Sequence, residues 1–444
     1  MDIKFISFIV MLTAVLLEAK LNLWKDLAFS QKAIINSLFP KNSDIVRINN
    51  LEEAKTNKVA TLDFIGLVER HGYPAEKHYV TTEDGYNLII HRIPASPLSN
   101  NRLKKKVIFL QHGILCSSDC WVLYGAGKDL AFLLADQGYD VWLGNVRGNS
   151  YCRSHIQMSP QNRDFWQFSY HEIGTRDLPV MIDYVLSYTK RKTLHYIGHS
   201  MGTTVLFVLL SMRPEYNAKI KLGICLAPIA MWKEVTPVLA SLVKKTPKIQ
   251  EFFEQNEIYE LAPLSSTSIT LRRTLCADKA ITQAACIAIL FLSSGSDPAQ
   301  FNTTAFPELL SHFPYGASVK TILHFSQNII THKFESYDDG FFDNYKRYKQ
   351  IAPIQYNLKR ITASLALFYG ANDPLATASN VFETYSQLPN VILLEENPYK
   401  PFTHNDFLWA IDAKTLIYDR VMEVLERFDI KQKSEWNIDQ LIYY

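Results

Sequence analysis

Apolar positions along this chain follow two alternating rhythms. Strand-like stretches rich in apolar residues lie at residues 86–93, 106–111, 139–143, 194–197 and 221–226. Between them come stretches with helical spacing. Residues 128–137 place Leu130, Leu133 and Leu134 on one face and stop at Gly138. Residues 177–187 carry Pro179 in their first turn, where its missing N–H costs nothing, and residues 201–212 are apolar throughout. Strands that alternate with helices at this spacing predict right-handed βαβ units, hence a parallel sheet covered on both faces. The rhythm returns at 364–369 and 390–394, and 414–428 reads as a closing helix. Between 230 and 355 it fails. Helical segments there are rich in aromatics and broken by Pro237, Pro247, Pro263, Pro298, Pro307 and Pro314. This pattern predicts a helical cap inserted over the sheet. The core is thereby divided into 61–229 and 356–430.

The N-terminus changes where the chain is expected to work. Lys4 precedes an apolar run over 5–17, and Ala19 supplies a small residue for cleavage, so 1–19 reads as a signal peptide. The run is too short to span a bilayer, and the mature chain shows no other stretch of about 18 charge-free apolar residues. A secreted or lysosomal protein is expected, with 20–60 as a lead-in and 431–444 as a tail without a predicted structure. The sequon Asn302-Thr303-Thr304 suits that route as a glycosylation site. Net charge is +2, which gives no reason to expect nucleic acid as a partner. The cysteines Cys116, Cys120, Cys152, Cys225, Cys276 and Cys286 show no metal-ligand spacing, and Cys225 sits in an apolar run where a buried free thiol is expected.

The candidate chemistry centres on Gly198-His199-Ser200-Met201-Gly202. This G-x-S-x-G string follows a predicted strand and opens a predicted helix, the setting in which a serine is forced onto a sharp turn with its hydroxyl exposed. Glycines two positions to either side remove the side chains that would collide. In the α/β-hydrolase arrangement an acid and a histidine follow in that order, each after a later strand, because sites are built where parallel strands end. Asp373 follows the run 365–369, and His404 follows 391–394 and precedes a helix. Asp338 and Asp339 are alternative acids, disfavoured because they fall in the cap. Oxyanion donors are expected from the backbone N–H of Met201 and of Ile114, the latter in Gln111-His112-Gly113-Ile114-Leu115, where Gly113 permits close approach. His112 is a second possible base, more readily read as a buried residue shaping that loop. His171-Glu172 lacks the second histidine of a metalloprotease helix, and Gly125-Ala126-Gly127 is too short for a dinucleotide fingerprint. Neither metal nor cofactor is expected.

Taken together, these strings resemble the acid lipase family of gastric and lysosomal lipases. The resemblance runs from about Asp63 to Phe428. It is carried by Gly72-Tyr73-Pro74, Thr82-Glu83-Asp84-Gly85-Tyr86, Arg92-Ile93-Pro94, Gln111-His112-Gly113-Ile114-Leu115, the stretch Gly138 to Asn145, Arg147-Gly148-Asn149, and His199-Ser200-Met201-Gly202-Thr203-Thr204. It implies the same triad and oxyanion donors, a mobile lid over an apolar pocket, and a disulfide between Cys276 and Cys286. Met201 stands where the family often has glutamine, Thr377 and Asn380 where it often has acids, and Thr403-His404-Asn405 departs from Asn-His-Leu.

The expected activity is hydrolysis of neutral-lipid esters, triacylglycerols or cholesteryl esters, at an oil–water or membrane surface. A carboxylesterase for small soluble esters and a non-catalytic lipid-binding protein on the same fold are the alternatives.

Overall fold

The computed structural model describes Phe39, Arg47–Ile48, and residues 61–98 and 105–441, with side chains in the last helix described as far as Lys431. The expected signal peptide, most of the lead-in and residues 442–444 lie outside the described residues.

Eight strands form one sheet: β1 (Glu76–Thr81), β2 (Asn87–Ile93), β3 (Val107–Gln111), β4 (Asp140–Gly144), β5 (Leu194–His199), β6 (Ile220–Leu226), β7 (Leu365–Tyr369) and β8 (Val391–Glu396). Their spatial order is β8-β7-β6-β5-β3-β4-β2-β1. From β8 to β4 all pairings are parallel, whereas β2 runs antiparallel to both β4 and β1. The sheet is mostly parallel, as expected, with an antiparallel hairpin at one edge in place of a crossover. Strand β1 leaves little trace in the sequence. It lies at the sheet edge and buries only Val80, so no alternation marks it. Every residue of β3, β4, β5 and β7 is buried, as strands covered on both faces must be.

The covering helices are α1 (Leu130–Asp136), α2 (Leu178–Thr189), α3 (Met201–Met212) and, after β8, α11 (Asp419–Leu441). Helix α3 buries all its residues from Met201 to Ser211 in the heart of the core. A π-helical turn, Ile173–Asp177, leads into α2, and another, Lys414–Tyr418, leads into α11. The closing helix extends well past residue 428, through much of the tail for which the sequence predicted nothing. Between β6 and β7 the chain forms α4 (Pro237–Lys244), α5 (Thr246–Gln255), α6 (Ser266–Leu275), α7 (Gln283–Ser294), α8 (Val319–Thr331) and α9 (Phe341–Tyr348); α10 (Ala378–Gln387) lies between β7 and β8. Cys276, at the end of α6, is bonded to Cys286 in α7 with Cα atoms 5.9 Å apart. The other four cysteines are free and buried. No described helix is long and apolar enough to cross a membrane.

A buried ion network explains one motif. Arg147 in the loop after β4 is almost fully buried. Its Nε donates to Asp177 at 2.7 Å, its two terminal nitrogens donate to Asp84 at 2.7 and 2.9 Å, and its guanidinium lies 4.0 Å from the Tyr86 ring centroid. Neither Arg147 nor Asp177 could lose its partner cheaply, because the remaining charge would be stranded away from water. Thr82 to Tyr86 and Arg147 to Asn149, distant in sequence, are thus two halves of one structural joint.

Candidate active site

The chain turns from β5 into α3 at Ser200, whose φ of 54° is a conformation that non-glycine residues rarely adopt. Packing imposes this strain. A Cβ on Gly202 would come within 2.3 Å of the Gln111 carbonyl oxygen, and one on Gly198 within 2.7 Å of the Gly202 backbone. Strands β3 and β5 and helix α3 can meet this closely only because both positions lack side chains. The turn is further held by the Ser200 N–H, which donates to Leu226 at the end of β6 (3.0 Å).

Three residues from three strand ends converge here. His404 Nε2 lies 2.8 Å from Ser200 Oγ, and His404 Nδ1 donates to Asp373 Oδ2 at 2.7 Å. The second carboxylate oxygen of Asp373 accepts from the N–H groups of Leu375 (2.8 Å) and Ala376 (2.9 Å). The carboxylate is thus fixed by backbone before it orients the ring. With Nδ1 carrying the proton, Nε2 presents a lone pair to the serine hydroxyl, and the assembly can accept the proton that a nucleophilic oxygen must lose. Asp338 and Asp339 are placed elsewhere. Asp338 accepts from Asn344 (2.7 Å), and Asp339 pairs with Lys320 and Arg347, so neither reaches His404.

Ile114 and Met201 border one small cavity of about 10 Å³, roofed by Gly316, Ala317, Ser318 and Thr321 from the cap side. Met201 is the first residue of α3, where a backbone N–H has no partner within the helix. A Cβ on Gly113 would lie 3.0 Å from Ser200 Cβ, so glycine is what lets this loop approach the serine. His112 is not arranged as a base. Its Nδ1 donates to the Gly113 carbonyl (2.7 Å), Asn149 approaches Nε2 at 3.4 Å, and burial pulls its pKa down to about 4. It shapes the loop as a neutral ring.

Several supports were invisible in the sequence. His199 Nε2 donates to the His404 carbonyl (2.9 Å), and burial together with the nearby His404 ring keeps His199 neutral, well below the usual imidazole range. The end of α7 reaches the same loops. The His404 N–H donates to Ser294 (3.0 Å) and the Asn372 side chain to Ser296 (3.0 Å). Gly295 permits this, since a Cβ there would sit 2.5 Å from the Asn372 carbonyl oxygen. The small-residue run Ser293 to Ser296 was the available signal, but nothing in it said what it would touch. Asn302 is partly exposed, and its side-chain oxygen accepts from the Ala305 N–H (3.0 Å).

Asp406 is buried beneath the histidine loop and accepts from the Thr403 N–H at 2.6 Å. Burial raises its pKa to about 6; the Thr403 hydrogen bonds oppose the rise, and the Asp297 and Asp373 carboxylates add to it. A carboxyl whose folded pKa is raised binds its proton more tightly when folded. Its stabilisation is therefore complete below the unfolded value near 4 and is lost as pH rises through about 6. Asp406→Asn keeps an acceptor for Thr403 without the titration. The variant should lack a pH-dependent component of about 3 kcal/mol between those limits, read from urea unfolding at a series of pH values. Parallel stability curves for the two proteins would refute it.

Known proteins resemble this chain along most of its length. Residues 64–125 match the model of a partial alpha/beta-hydrolase lipase region, and residues 106–257 that of the alpha/beta hydrolase fold. The chain is 38% identical to Lipase 1 of Drosophila melanogaster over 88% of this chain and 85% of that protein. It is 36% identical to human gastric triacylglycerol lipase over 82% of this chain and 91% of that protein. A lipase-like protein of Sulfolobus solfataricus shares the fold with a TM-score of 0.53 at 12% identity, covering 80% of this chain and 94% of that one. With an α/β-hydrolase sheet and relatives this similar along most of their length, the chain belongs to the acid lipase family and is a lipase, a serine carboxylic ester hydrolase.

Proposed function

We propose that this protein hydrolyses neutral-lipid esters, triacylglycerols or cholesteryl esters, through an acyl-enzyme formed on Ser200. The observation that carries the reading is the unbroken chain Ser200–His404–Asp373, at 2.8 and 2.7 Å. The named activity of the gastric relative supports the substrate class. Ser200 Oγ attacks the ester carbonyl as His404 Nε2 takes its proton. Asp373 holds the ring in the tautomer that can do this and stabilises the imidazolium. The backbone N–H groups of Ile114 and Met201 receive the developing oxyanion, each contributing about 3 kcal/mol to the transition state. His404 then protonates the departing alcohol, and a water molecule activated by the same ring releases the fatty acid.

The insertion of residues 230–355 between β6 and β7 supports a cap that moves as a lid, and Gly316, Ala317, Ser318 and Thr321 of that cap line the small cavity beside Ile114 and Met201. The N-terminal pattern and the Asn302 sequon support a glycosylated protein of the secretory pathway, secreted or lysosomal.

Turnover of emulsified triolein, cholesteryl oleate and a short soluble ester by the purified protein tests the reading. Long-chain esters should be cleaved when presented as an emulsion. Turnover confined to the short ester would replace the lipase reading with a soluble esterase, and no turnover at all would leave a lipid-binding protein.

A further inference from the structure

Helix α9 is built inside out. Along its length, Phe341, Phe342 and Tyr345 lie on one arc, and they are 59%, 83% and 60% exposed. The Phe341 and Phe342 rings meet edge to face with centroids 5.2 Å apart. The helix is held to the molecule by Tyr348, whose hydroxyl donates to the Tyr337 carbonyl (3.0 Å) and whose ring meets His171 edge to face, and by polar side chains. Asn344 is buried; its amide donates to Asp338 (2.7 Å) and to the Ile351 carbonyl (3.0 Å), and its oxygen accepts from the Asp339 N–H (2.9 Å). Arg347 reaches back to the Gln167 carbonyl (2.8 Å) and to Asp339 (3.1 Å). A surface helix in water ordinarily buries its apolar stripe and presents its polar one. Here Tyr348 and these hydrogen bonds hold α9 in place, and Phe341, Phe342 and Tyr345 are left exposed. Ile351, whose carbonyl Asn344 holds, is exposed as well.

We infer that the aromatic face of α9 is a foot by which the enzyme adsorbs to the phospholipid-coated surface of its lipid substrate. The inference rests on the reading above, that the substrate is a water-insoluble ester and the enzyme must work at its surface. Two features select lipid rather than another protein. The exposed lysines Lys346 and Lys349 adjoin the aromatic arc and the end of the helix, while Asp343 lines the neighbouring cleft with Tyr337 and Lys320. Aromatic rings flanked by lysines suit the boundary between acyl chains and headgroups, where the rings enter the apolar layer and the ammonium groups stay at phosphate level. The helix is also short and rigidly bonded to the body, so its adsorption would set the orientation of the whole molecule on the surface.

The test measures flotation with triolein emulsions coated with phosphatidylcholine and phosphatidylglycerol, in a Ser200→Ala background so that turnover plays no part. Replacing Phe341, Phe342 and Tyr345 together by serine should weaken adsorption about tenfold or more, and Phe342→Ser alone should weaken it measurably. With Ser200 restored, the triple variant should lose emulsion turnover in proportion and keep its turnover of a short soluble ester. Adsorption equal to that of the parent would overturn the proposal. So would loss of soluble-ester turnover in the triple variant, which would make the aromatics structural. A self-associated parent that the triple variant dissociates would assign the face to a second copy instead. Because adsorption is measured without catalysis, a parent that binds emulsion yet fails to cleave long-chain esters would defeat the lipase reading and leave this one standing.

Discussion

Ser200→Ala is expected to lower kcat for ester hydrolysis by about 10⁵-fold or more while leaving the fold intact. In the mechanism proposed above the hydroxyl forms the acyl-enzyme, and no described side chain can replace it: His112 is committed to its own loop and His199 to the His404 carbonyl. A residual rate above that in water should survive, because the Ile114 and Met201 backbone groups do not depend on the serine side chain. The measurement is initial rate on a soluble ester, with labelling by a phosphonate inhibitor as a second readout. The wild-type chain should incorporate one phosphonate at Ser200 and the variant none. Retention of more than about one-hundredth of the activity would show that another group attacks the ester.

Asp373→Asn should cost about 10⁴ in kcat with little change in KM. The reason is specific to the bonding found here. One oxygen of Asp373 already accepts from Leu375 and Ala376, so the asparagine oxygen will take those donors and turn its NH₂ group toward His404 Nδ1. Two donors cannot face one another, so Nδ1 must give up its proton. The proton then resides on Nε2, pointing at Ser200 Oγ, and the ring can no longer accept the serine proton. A substitution that is nearly isosteric thus reverses the tautomer while the packing remains. The pH–rate profile, kcat and the unfolding midpoint should be measured together. A loss below about tenfold, with unchanged stability, would remove Asp373 from the role assigned to it.

The order of strands and helices, the elbow at Ser200 and the identity of its partners were legible in the sequence because each is governed by local rules. Short continuous apolar runs bounded by turn residues mark strands buried on both faces, such as β3 and β7. Gly198 and Gly202 mark a backbone crossing too tight for a Cβ. Asp373 and His404 were visible because sites of this kind form where parallel strands end, and each residue stands just beyond one.

What remained hidden depended on contacts between residues far apart in the chain. Strand β1 carries no alternation because it lies at the sheet edge with only Val80 buried, and the antiparallel hairpin at that edge followed from where β2 found a partner. The junction of α7 with the His404 and Asp373 loops joins residues about a hundred positions apart through backbone groups, and backbone groups leave no mark on residue type. The raised pKa of Asp406 and the neutral state of His199 come from burial, a property of the packed molecule rather than of either side chain. The inverted polarity of α9 is of the same kind. The folded structure alone decides that Phe341, Phe342 and Tyr345 face out, because Asn344, Arg347 and Tyr348 find hydrogen-bond partners on the body of the molecule and the phenyl rings do not. Periodicity states that a helix has two faces; which face is covered is settled by the neighbours the rest of the chain brings to it.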